Sequence, residues 1–180
     1  MGDPWRGRVV VAGDAAARFK FSIPAGLVPL RGVTSHTGLK TEIELPGDVA
    51  AGVGIADGSL TALNSIVMFS DPAGLGVAFD DLDDAARQKL ALRYVELLRE
   101  TIPDAQDAQI LEIGTHVALR FELPRVVMQG RPQRQGRHYL VFDKAATASV
   151  DCLWTEEEAA RMASACDAVV TSLERVSSAP

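Results

Sequence analysis

The sequence predicts an α+β domain, an α/β sandwich in which helices pack against an antiparallel β-sheet. Several short runs alternate apolar with polar residues, as in Phe19-Lys-Phe-Ser-Ile23 and His116 to Leu123. A period of two is the pattern of strands with one buried face. Two longer segments instead carry apolar residues three and four positions apart, the pattern of amphipathic helices. The resulting order is strands, helix, strands, helix, which argues against the regular strand–helix alternation of a parallel sheet.

The elements follow in chain order. Arg8 to Ala12 is a short β-branched run, and Phe19 to Ile23 is a strand ended by Pro24. Leu39-Lys-Thr-Glu-Ile-Glu-Leu45 alternates again, with Leu39, Ile43 and Leu45 on one face and Lys40, Glu42 and Glu44 on the other. The glycine-rich stretch Pro46 to Gly58 reads as loop with a weak strand near Val53, and Thr61 to Phe69 as a more continuous apolar strand. A helix is expected from Asp83 to Thr101, capped by Asp83 or Asp84 and stopped by Pro103. Leu90, Tyr94, Leu97, Leu98 and Ile102 should face its core. Four strands follow, over 108–114, 116–124, 136–143 and 146–153. In the second, Val117, Leu119, Phe121 and Leu123 point one way, and His116, Arg120 and Glu122 the other. Thr155-Glu-Glu-Glu158 matches a capping box. The last helix then carries the stripe Ala159, Met162, Ala163, Cys166, Val169, Val170, Leu173. Trp154, just before it, suits a hydrophobic staple on Ala159, whereas Trp5 lies in the N-terminal tail.

At 180 residues, 47% hydrophobic and 23% charged, the chain suits one globular domain with a substantial core. Residues 1–7 are expected as a flexible tail, 8–176 as the domain and 177–180 as a frayed end. The net charge of −6 disfavours nonspecific binding to nucleic acid or anionic lipid. No apolar run approaches the roughly 20 residues that span a bilayer. The two cysteines, Cys152 and Cys166, do not make a disulfide framework and read as buried core thiols. A cytoplasmic setting is therefore expected, with a trimmed secreted or lipoprotein form as the alternative.

Phe19-Lys-Phe-Ser-Ile-Pro-Ala-Gly-Leu27, Ile113-Gly-Thr-His-Val-Ala-Leu-Arg-Phe121 and Val169-Val-Thr-Ser-Leu173 are similar to the opening strand, the start of the long hairpin and the closing helix of the PsbP-like/Mog-like family. Its DcrB-like and LpqN-like bacterial branches are included. The resemblance spans roughly residues 19–175 and implies an α/β sandwich that works as a noncatalytic protein-binding or chaperone-like module. No functional residue of the family transfers to these positions.

Motifs for catalysis are missing. His36, His116 and His138 are widely spaced, with no HxH or HExxH pattern and no Cys/His cluster for a metal. His116 and His138 read as two partly exposed strand histidines. No GxSxG elbow occurs, and Ser59, Ser65 and Ser70 have no neighbouring base. Gly52-Val-Gly54-Ile-Ala-Asp57 begins like a dinucleotide fingerprint but lacks the third glycine and a following helix, so it reads as a flexible loop. No cofactor is expected.

The most suggestive feature is charge segregation. Leu123 to Phe142 contains no acidic residue but holds Arg125, Arg131, Arg134, Arg137 and His138, with Tyr139 beside them. These six residues are the candidate binding site, a basic hairpin arm suited to an acidic partner or a phosphate. The plainer reading is a solvated hairpin tip. Another protein is the expected partner, held by this arm or by a sheet face. Alternatives are a small-molecule site or unrecognised enzyme with His116, His138, Arg120 or Glu122 converging in an enclosed pocket, or a homodimer through a sheet edge or the N-terminal segment.

Overall fold

Strand β8 (Arg134–Phe142) explains the architecture best, because Tyr139, Leu140, Val141 and Phe142 are all buried although they point alternately to opposite faces. Both faces of the sheet must therefore be covered at its centre. The computed structural model describes residues 2–4, 6–12, 19–29, 52–59, 63–71, 77–114, 116–143 and 146–176. Among them, β3 (Val28–Pro29), β4 (Gly52–Ala56), β5 (Ser65–Asp71), β6 (Gln109–Ile113), β7 (His116–Val126), β8 and β9 (Thr147–Trp154) form an antiparallel sheet in the order β3-β4-β5-β9-β8-β7-β6. A smaller sheet joins β1 (Val9–Ala12), β2 (Phe19–Ser22) and β10 (Glu174–Arg175). The helices are α1 (Asp84–Thr101) and α2 (Ala159–Ser172).

One face of the large sheet presents Ala118, Tyr139, Val141, Ala148, Val150, Cys152 and Trp154. It packs on Met162, Cys166, Val169 and Val170 of α2 and on Phe19 and Phe21 of β2. The other presents Leu119, Phe121, Leu123, Leu140 and Phe142 to Ala91 and Val95 of α1 and to Phe79, whose ring stacks on Phe142 at 4.9 Å. Burying each large side chain contributes about 1.5–3 kcal/mol. The α+β sandwich expected from sequence is thus formed.

Several details correct the sequence reading. Gly52 to Ala56 is strand β4, paired along its length with β5, because the partner edge of β5 supplies the bonds that its glycines alone would not recruit. Leu97 faces solvent, half exposed. It lies two residues past buried Val95, about 200° round a helix. Residues 156–158 form a 3-10 turn that moves the start of α2 to Ala159 and dissolves the capping box. Thr155 instead donates its backbone N–H to Asn64 Oδ1 at 2.9 Å, and Glu158 pairs with Arg161. Asp83 does cap α1, accepting from Ala86 N at 2.7 Å. Strand β7 continues past Pro124 to Val126 through a register shift, the bulge a strand proline requires. Asp3 and Gly7 of the expected tail bond to Gly26 N and Ile23 O. Leu39 to Leu45, Trp5, His36 and residues 177–180 lie outside the described residues.

The largest correction is covalent. Cys152 and Cys166 form a disulfide between β9 and α2, with Cα atoms 6.1 Å apart. The apolar stripe of α2 lies over the inward residues of β9, so the two sulfurs meet across that interface. Their pairing follows from tertiary packing, which cysteine count and spacing do not encode.

Gly136 allows β8 and β9 to approach. A Cβ built there would stand 2.1 Å from Cys152 O and 2.8 Å from Leu153 Cδ2. Gly136→Ala is expected to cost about 2 kcal/mol in urea denaturation by overpacking. An unchanged midpoint would contradict this close contact.

Candidate functional site

The six residues of the expected basic arm do not form one site. Arg125 points to Asp104 at 3.9 Å, and Arg131 lies exposed in the hairpin turn. Arg134 is buried, donating from Nη1 to Leu63 O at 3.1 Å and from Nη2 to Met128 Sδ. Burial, and then the Arg131 charge, lower its pKa from the ordinary guanidinium value. His138 faces the α1 side of the sheet and pairs through Nδ1 with Asp151. Arg137 and Tyr139 face α2, where they meet Arg120 and Glu122 of β7 and Asp167 of α2.

Register explains the separation. Phe121 pairs with His138 and Glu122 with Arg137, so successive residues of the hairpin point to opposite faces. His116 is on the α2 face, where Nε2–H donates to Leu173 O at 3.0 Å. The two histidines therefore do not converge. Among the described residues no group of three or more His, Cys, Asp or Glu side chains is placed to hold a metal.

On the α2 face a cleft of about 360 Å³ opens at the end of the sheet. Leu111 and Ile113 of edge strand β6 line one side, Asp167, Val170 and Thr171 of α2 the other, and Arg120 and Tyr139 the floor. Gly114 begins the turn at its end with φ of 59°, in the left-handed region. Among the described residues nothing pairs with the outer edge of β6, so a line of backbone donors and acceptors runs along the sheet edge beside the cleft.

The floor is charged but locally neutral, with Arg120 and Arg137 set against Glu122 and Asp167. Arg137 Nε donates to both Glu122 oxygens, at 3.0 and 3.2 Å, and Nη1 to Asp167 Oδ1 at 3.0 Å. Burial works against the Arg137 charge, but Glu122 and then Asp167 overcome it, and its pKa rises. Tyr139 donates to Asp167 Oδ1 at 2.7 Å. Both bonds end on Oδ1, leaving Oδ2 of this exposed carboxylate at the rim. Sequence reasoning found Arg137 and Tyr139 for a different reason, named Arg120 and Glu122 only for the alternative pocket, and missed Asp167, which lies off the apolar stripe of α2.

Burial pushes the Tyr139 phenol up to about 12, helped by the hydrogen bond and charge of Asp167 and opposed by Arg120 and Arg137. Because the folded-state value lies above the ordinary value of about 10, this contribution to stability is complete below about pH 10. It is lost as the pH rises through about 12. With two tyrosines in the chain, a Tyr94→Phe variant isolates Tyr139. Its tyrosinate absorbance should rise with a midpoint near 12, and a midpoint near the ordinary value of about 10 would contradict the geometry.

No protein-family model and no curated protein matches the chain. Solved structures do. A Bacteroides thetaiotaomicron protein superposes with a TM-score of 0.58 at 10% identity over 96% of this chain. The chain spans about half of that protein, 49%. Cyanobacterial PsbP (CyanoP) from Synechocystis sp. PCC 6803 superposes with a TM-score of 0.57 at 14% identity, over 98% of this chain and 97% of its own. LpqN of Mycobacterium tuberculosis, described as involved in cell envelope biogenesis, matches more loosely, with a TM-score of 0.47 at 12% identity over 88% and 83% of the two chains. The resemblance implied by the sequence is borne out at the level of the fold, and this chain is built on an α+β scaffold similar to that of CyanoP.

Proposed function

We propose that this chain is a noncatalytic protein-binding module that takes an extended segment of another protein into the groove between β6 and α2. The observation that carries the reading is the outer edge of β6, which pairs with no strand among the described residues, beside that groove. A segment laid along β6 would extend the sheet through main-chain hydrogen bonds and send alternate side chains between Leu111, Ile113 and Val170. Apolar side chains suit those walls. A Lys or Arg between them suits the outward oxygen of Asp167 and the net charge of −6. Such a groove reads shape and alternation, which fits an adaptor or chaperone-like role.

The small-molecule alternative draws less support. Its volume falls in the range of ligand pockets, about 300–1,000 Å³. The charges of the floor, however, pair with one another as ions, with Arg120 Nε left without a hydrogen bond, which leaves few convergent groups to orient a small ligand.

A photoreactive phenylalanine analogue in place of exposed Thr171, introduced in the source cells, should cross-link to a segment of another polypeptide. The same analogue at Leu92, on the outer face of α1, should not. A synthetic peptide of the cross-linked segment should then slow hydrogen exchange in β6 and leave α1 unchanged. A cross-link to a second copy of this chain, equal cross-linking at Leu92, or no protection of β6 would each overturn the reading.

A further inference from the structure

The two cysteines of the chain lie at one contact, in the interface between α2 and the sheet that borders the groove. Cys152 pairs in register with Arg137 across β8 and β9, and Cys166 immediately precedes Asp167 on α2. The bond therefore ties α2, which carries Asp167, to β9, the strand hydrogen-bonded to β8 and its Arg137 and Tyr139. Neither cysteine has any exposed surface. Asp167 follows Cys166, and Arg137 and Tyr139, which both bond to it, lie opposite Cys152 and two residues further along β8.

We propose that the Cys152–Cys166 disulfide is a permanent staple, formed in an oxidising compartment, that fixes Asp167 over Tyr139 and Arg137 and so sets the groove. Its formation removes two electrons and two protons from the thiols. A disulfide-donating oxidant receives them through a mixed disulfide and leaves as a dithiol. Because both sulfurs are enclosed, exchange needs α2 to lift from β9. The bond therefore forms before or during docking of the helix and then resists dithiols. Such enclosure fits a structural bond better than a switch. It places the working protein where disulfides form and persist, in contrast to the cytoplasmic setting expected from composition. Only the consequence for partner binding rests on the groove reading.

Thiol trapping tests the staple in the protein as the cell makes it. Source cells lysed and denatured in excess maleimide-linked polyethylene glycol should give no adduct on this chain, and two adducts after reduction. Two adducts without prior reduction would overturn the proposal. Positioning is read separately, in a Tyr94→Phe background carrying Cys152→Val and Cys166→Ala, and in the Tyr94→Phe protein with its cysteines intact, unfolded and refolded with dithiothreitol. In these the Tyr139 midpoint should fall from about 12, and hydrogen exchange of the C-terminal half of α2 should quicken at least tenfold. If either the variant or the reduced protein is folded yet leaves both readouts unchanged, the bond does not set the groove. These outcomes stand whether or not a partner peptide binds β6, so the two readings fail separately.

Discussion

The docking of α2 across β8 and β9 is the contact on which the remaining structure depends. Met162, Cys166, Val169 and Val170 press on the inward residues of those strands, and Phe19 and Phe21 close the same core from the side. At one end of this interface the apolar pattern gives way to polar groups. There Asp167 takes hydrogen bonds from Tyr139 and Arg137, with Glu122 completing the pairing of Arg137. Burying a tyrosine hydroxyl or a guanidinium without partners would be costly. The network is therefore a condition for the helix to sit where it does, and the groove is the space left beyond it.

This interface also explains why the charge pattern of the hairpin misleads. An acid-free stretch suggests a basic surface, but strand pairing sends its side chains to different faces and sets acids from elsewhere beside them. Glu122 comes from β7, Asp151 from β9 and Asp167 from α2. Arg134 is drawn inward to Leu63 O and Met128 Sδ. What remains on the α2 face is a neutral, shaped groove, and its specificity would come from backbone edge and apolar walls.

The fold class, α1 and its Asp83 cap, the four strands after it and the stripe of α2 were legible in the sequence, because each rests on local periodicity or a capping residue. What escaped depends on partners distant in sequence. The weak strand expected near Val53 extends over all of Gly52 to Ala56 only beside β5. Thr155 gives up its expected capping role when its N–H meets Asn64. Cys152 and Cys166 are ordinary apolar positions until the helix lies on the sheet. The groove has the same character. Arg120, Tyr139 and Asp167 are separated in sequence by 19 and 28 positions, and only register and docking bring them together.

A double-mutant cycle on Tyr139→Phe and Asp167→Asn, read by chemical denaturation, tests most directly whether the polar end of this interface holds α2 in place. The account predicts a coupling of about 1–2 kcal/mol, as for a partly buried hydrogen bond to a charged group. Effects that simply add, within about 0.3–0.5 kcal/mol, would contradict it.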